Sequence, residues 1–261
     1  MNKIITFSLV TLILSTFSSF VLAAETQSVG IEPFTEIPST FPPDFKGNDL
    51  KALIKFLKTN SEKLGLIKDE FTSSSEFLPK VKKVVQELNE KGAYIFVLDK
   101  NALKSTYNSE KKRYDITLDF HHFGYGDNQD LTGFRLVEDT TEQSKYNASN
   151  AYGKSIAVDK TSYDTYAIGS NRLKFTGDFH IAYGVMPDEA RLLKNDMTLV
   201  FVCKIQAPPL MDDVDGYRPK IDFPYDITYN NHILNVTFLN KSSATLIQVS
   251  TGKVLGLIDL P

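Results

Sequence analysis

The chain has 261 residues, with 29 Lys and Arg against 32 Asp and Glu, a formal charge of −3, one cysteine and no tryptophan. So weak an acidic balance gives no bulk attraction for nucleic acid, and a single cysteine excludes an internal disulfide framework. Stability must therefore come from a packed core.

Met1, Asn2 and Lys3 precede an apolar run from Ile4 to Phe20, and Val21-Leu22-Ala23-Ala24 precede Glu25. A positive start, an apolar stretch and small residues at its end mark a secretory signal peptide, residues 1–24, with a mature start at Ala24 or Glu25. A retained anchor would use the same run, which is close to the about 20 apolar residues that span a bilayer. Hydroxyl residues in the run and its Val-Leu-Ala-Ala ending favour cleavage. After residue 24 no apolar stretch is long enough to cross a membrane, so we expect a soluble periplasmic or secreted protein of a bacterium, with no transmembrane segment once the signal is removed.

Residues 25–46 carry Pro33, Pro38, Pro42 and Pro43 and read as an extended lead-in. Residues 47–92 read as a helical hairpin. Asn48 or Asp49 can cap a helix in which Leu50, Leu53, Ile54, Phe56, Leu57 and Leu64 recur at helical spacing, broken at Gly65. A second helix carries Phe77, Leu78, Val81, Val84, Val85 and Leu88 to a left-handed terminator at Gly92, and Thr72 or Ser73 with Glu76 forms a capping box at its start.

From 93 to 261 the period becomes strand-like. Runs at Ala93–Leu98, Arg113–Phe120, Leu131–Val137, Lys154–Val158, Leu173–Tyr183, Thr198–Ile205, Ile221–Tyr229, Ile233–Leu239, Ala244–Val249 and Val254–Ile258 are rich in Val, Ile, Thr, Tyr and Phe. Asn230-Asn231 reads as a hairpin turn, because Asn tolerates positive φ, and Pro187 followed by Asp188 and Glu189 opens a short helix over 187–194. The expected fold class is α+β: an N-terminal αα-hairpin packed on a C-terminal antiparallel β-sandwich or barrel.

The segment Glu70-Phe71-Thr72-Ser73-Ser74-Ser75-Glu76-Phe77 resembles the E-F-x-[ST]-[ST]-x-E-[FY] helical segment that precedes a β-rich domain in uncharacterised exported bacterial proteins. Ser149-Asn150-Ala151-Tyr152-Gly153 and Met186-Pro187-Asp188-Glu189-Ala190-Arg191 are similar to that group too. The resemblance implies an architecture and carries no activity.

G-x-S-x-G, a phosphate-binding glycine loop, H-E-x-x-H and C-x-x-C are all missing, which leaves no motif-based case for an enzyme. Cys203 lies in an apolar run and reads as a core residue. The tripeptide Asp-Phe-His occurs twice, as Asp119-Phe120-His121 and Asp178-Phe179-His180. On strands each Asp shares a face with its His, so neighbouring strands in register would converge two carboxylates and two imidazoles, with His122 and Asp127 nearby, as a site for a divalent metal. The same alternation also arises where Phe fills a core and Asp and His face water. Asp212-Asp213-Val214-Asp215-Gly216 is half a calcium loop without its first ligand or closing Glu, and reads as a solvated turn.

Phe123, Tyr125, Tyr146, Asn147 and Tyr152 form an aromatic and amide mixture of the kind that binding surfaces use, although cores use the same residues. The expected function is a non-enzymatic exported binding protein of the cell envelope, of which an immunity or inhibitor role is one version, with a protein or envelope component as partner, no nucleic acid and no cofactor. A metal-dependent hydrolase on the Asp and His pairs and a small-ligand carrier are the alternatives.

Overall fold

The computed structural model describes residues 30–99, 103–124, 130–149, 153–174, 177–239 and 243–260. The expected signal peptide, Tyr125, Asp127 and Tyr152 lie outside the described residues.

Two helices come first. α1 spans Leu50–Thr59 and is capped by Asp49, whose carboxylate accepts from Ala52 N at 2.9 Å. Its apolar stripe, Leu50, Leu53, Ile54 and Leu57, is buried. α2 spans Ser74–Glu90 and opens with the expected capping box: Ser73 Oγ accepts from Glu76 N, and the Glu76 carboxylate accepts from Ser73 N at 3.1 Å. These two reciprocal bonds satisfy amides that a helix start otherwise leaves unpaired. Val81 and Val85 face the same core as the α1 stripe. Among the described residues no helix is long and apolar enough to cross a membrane.

The strands follow in chain order: β1 (Tyr94–Val97), β2 (Lys104–Asn108), β3 (Arg113–Phe123), β4 (Leu131–Ser149), β5 (Ser155–Ser170), β6 (Gly177–Gly184), then helix α3 (Pro187–Leu193), and β7 (Met197–Tyr217), β8 (Tyr225–Phe238), β9 (Ser243–Gln248) and β10 (Val254–Asp259). They make one large sheet in the order β10-β9-β7-β8-β5-β4-β3-β2, with β1 added to β7 and β6 added to β3. The fold is α+β and mostly β, as expected, but the sheet is mixed: β5 and β8 run parallel from Asp159–Tyr225 to Gly169–Asn235. A purely antiparallel sheet is therefore corrected. The cause is the long excursion through β6, α3 and β7 between β5 and β8, which brings the chain back to β5 in the same direction.

β7 organises the molecule. Phe201 pairs with both Phe96 and Ala244, and Cys203 with both Tyr94 and Phe238, so β1 lies on one edge while β8 and β9 lie end to end along the other. Side chains alternating along β7 feed two cores. Leu199, Phe201 and Cys203 join the main core under α1 and α2, while Val200 and Val202 join Ile95, Ile247 and Phe41 on the opposite face. Phe41 comes from the lead-in, which is thus a packed strap and not a loose leader. Asn48 fastens the strap: its amide donates to Gly30 O and Glu32 O, and its carbonyl accepts from Ile95 N at 2.8 Å. At Gly92 (φ +151°) an added Cβ would lie 1.8 Å from Phe34 O, so the strap can pass here only over a glycine.

Two local expectations are overturned. β8 runs unbroken through Asn230 and Asn231, and no hairpin forms, because the Asn231 amide is engaged across the sheet by Thr165 and Arg135. Asp212–Gly216 is strand, not turn, within the 21-residue β7, paired to β8 throughout. Its acids alternate between faces, so they cannot converge on one calcium ion.

Candidate functional site

β3 and β6 are neighbours, and their register decides what the two Asp-Phe-His tripeptides can do. Asp119 stands opposite Asp178, while His180 stands opposite Thr117. Antiparallel pairing sends the two histidines outward from the aspartates, four residues apart along β3, which is roughly 13 Å. His180 Nδ1 is 3.2 Å from Thr117 Oγ1, and His121 Nε2 is 3.7 Å from Asp119 Oδ2. The structure therefore brings the carboxylates together and keeps the imidazoles apart. Among the described residues no group of three or more His, Cys, Asp or Glu side chains is placed to hold a metal ion. Phe120 faces the core, as alternation predicts.

The aromatic set divides as well. Phe123 is fully buried against Leu131, Ala167 and Ile233, so its reading as a surface contact is corrected. Leu131 is its partner on the next strand, while Ala167 and Ile233 come from β5 and β8, far away in the chain, which no local pattern announces. Tyr146 and Asn147 are consecutive on β4 and point to opposite faces. The Tyr146 hydroxyl donates to Asp226 Oδ2 at 3.0 Å, and burial together with that carboxylate pushes its pKa up. Tyr125 and Tyr152 lie outside the described residues.

Cys203 is wholly buried, and burial alone pushes its thiol pKa far up, so it is no nucleophile.

A site does form where β3 leaves one partner for another. Phe120 is its last pair with β6, opposite Gly177, and His121 its first with β4, opposite Gly133. Beside this crossing an open cleft of about 730 Å³ is lined by Asp119, His121, Arg135, Glu138, Asp215, Tyr217 and Tyr229, and also by Asp99 and Lys104.

Arg135 is the centre of the cleft. Its Nε donates to Asn231 Oδ1 at 3.0 Å, a terminal nitrogen lies 3.6 Å from Asp215 Oδ2, and the guanidinium carbon sits 4.2 Å from the centroid of the Tyr229 ring. Thr165 Oγ1 donates to the same Asn231 oxygen at 2.6 Å, and Tyr163 stacks on Tyr229 at 5.2 Å. The guanidinium is thus fixed on three sides: by a buried amide, a carboxylate and an aromatic face. Only 14% of its side chain is exposed. Beside it, His121 is held neutral to lower pH than usual, chiefly by burial and next by the Arg135 charge, with Asp119 and Asp215 pulling the other way.

The signal for this site in the sequence was slight: Arg135 is the one charge inside the otherwise apolar or neutral stretch Leu131–Val137. Fold and site together define a mixed α+β protein with a charged cleft, rimmed by tyrosines, at the junction of two sheet segments. Comparison with protein-family models finds no match, and comparisons with curated proteins and with solved structures find none either.

Proposed function

We propose that the protein is a non-enzymatic exported binding protein of the bacterial cell envelope, and that it holds its ligand in the cleft around Arg135. One observation carries this: the guanidinium is locked by Asn231, Asp215 and Tyr229 before any ligand arrives. A polar group ordered in advance loses little freedom on binding, which is how few contacts achieve useful affinity. The setting is a concave site that mixes apolar walls with convergent polar groups, the usual form of a ligand pocket. Export rests on the signal-like residues 1–24.

The test places a photo-crosslinking amino acid at Glu138, an exposed residue of the cleft, and irradiates the protein in envelope extract. One predominant adduct is expected, lost when Tyr217→Ala alters the rim. An adduct pattern unchanged by Tyr217→Ala, or no adduct, overturns the reading.

A further inference from the structure

The cleft opens onto a row of aromatics on one face of the sheet. Asp213, Asp215 and Tyr217 alternate along β7 opposite Asn231, Tyr229 and Ile227 of β8, so all six share a face. Tyr225 lies on that face too, four residues from Tyr229 and roughly 13 Å along the strand. Tyr163 of β5 adjoins Tyr229 in register. Phe223 fills the space beyond, 6.1 Å from the Tyr217 ring and 5.0 Å from the Tyr225 ring. Tyr217, Phe223 and Tyr225 are 59%, 40% and 45% exposed, and their ring contacts make them a contiguous exposed aromatic surface.

The charges of the cleft narrow the occupant. Asp99, Asp119, Glu138 and Asp215 line the cleft together with Lys104 and Arg135, and Asp215 lies 3.6 Å from the Arg135 guanidinium. The carboxylates outnumber the cations of the lining four to two, a balance that disfavours the phosphates of a nucleic acid or a lipid headgroup. The two cations oppose a basic peptide or polyamine, and Arg135 already occupies the cation position on the Tyr229 ring. What remains is a neutral ligand that needs both donors and acceptors at its edge and apolar faces above and below. A pyranose has that form: its C–H face packs on an aromatic ring, and its hydroxyls donate to carboxylates and accept from guanidinium and ammonium groups.

We propose that the cleft and its aromatic rim, from Arg135 and Tyr229 out to Tyr217, Phe223 and Tyr225, bind a neutral oligosaccharide. The sugar end in the cleft meets Asp119, Asp215 and Arg135, and the following units lie along the rim. This rests on the binding reading above and specifies its ligand.

Isothermal titration of the chain from residue 25 with maltohexaose, cellohexaose and chitohexaose tests it. At least one is expected to bind, with the Tyr217→Ala/Phe223→Ala variant weaker by about tenfold or more. Both side chains are exposed, so the variant keeps its fold, checked by an unchanged melting temperature. Val214→Ala, exposed on the opposite face of the same strand, leaves the affinity unchanged. No binding of any of the three up to about 5 mM, or binding that the double variant retains, overturns the proposal. A protein adduct at Glu138 with no saccharide binding overturns the proposal alone and leaves the binding reading standing; failure of both experiments removes both.

Discussion

Asp119 and Asp178 face each other directly across β3 and β6, two carboxylates in one cross-strand pair. Like charges placed this way weaken a sheet by roughly 0.2–1 kcal/mol. Asp178→Asn should therefore raise the urea midpoint with an unchanged slope. A lower midpoint would mean that Asp178 carries an interaction beyond its strand partner. Zinc added in excess is expected to leave the melting temperature where it was, since His121 and His180 stand too far apart to share an ion; a rise with zinc concentration would show a bound metal.

His121 makes stability depend on pH. Burial first, and the neighbouring Arg135 next, lower its folded pKa below the usual value of about 6.5, so the unfolded chain takes up the proton more readily. The stabilising contribution is whole above pH 6.5 and declines as pH falls from there through the folded pKa. Thermal melts at pH 8 and pH 5 should show a larger loss for the natural protein than for His121→Gln. Equal losses would mean that the imidazole is solvated in both states.

Arg135 and Asn231 act as a unit. Asn231→Leu removes the acceptor for both Arg135 Nε and Thr165 Oγ1, and leaving buried donors unpaired costs about 1–3 kcal/mol. Arg135→Met should be costly alone, yet cost less in the Asn231→Leu background, because the broken partner is already gone. A double-mutant cycle by urea unfolding should give a coupling of roughly 0.5–3 kcal/mol. Strict additivity would mean that the bond does not hold the guanidinium.

Much of the fold could be read locally. The capping box at Ser73 and Glu76, the cap at Asp49, helix α3 from Pro187, and most strands follow from short-range chemistry that a sequence displays. What could not be read depends on partners far away in the chain. Asn230-Asn231 has the composition of a turn, but Thr165, 66 residues away, gives Asn231 a cross-strand role. Asp212–Gly216 has the composition of a loop, but pairing with β8 makes it strand. Each Asp-Phe-His repeat reads as strand, yet the pairing of β3 with β6 and its direction and register, which decide whether the histidines meet, are not written in either tripeptide. The cleft was missed for the same reason. Its residues come from β2, β3, β4, β7 and β8 and from the segment after β1, and only the order of the sheet assembles them.

Phe123 and Tyr146, grouped as one surface by composition, should separate cleanly under mutation. Phe123 is enclosed by Leu131, Ala167 and Ile233, so Phe123→Ala leaves a cavity and should cost about 3–5 kcal/mol in urea unfolding. Tyr146 is 39% exposed and reaches its partner through one hydroxyl, so Tyr146→Phe removes that bond and leaves the ring in place; its effect should be a small fraction of the Phe123 loss. Tyr146 lies on the face of the sheet opposite Tyr217 and Tyr229, so the same variant should leave binding in the cleft intact. If Tyr146→Phe abolished crosslinking at Glu138 while Tyr217→Ala did not, the functional surface would be the other face of the β4–β5 hairpin, and the cleft around Arg135 would be a structural feature.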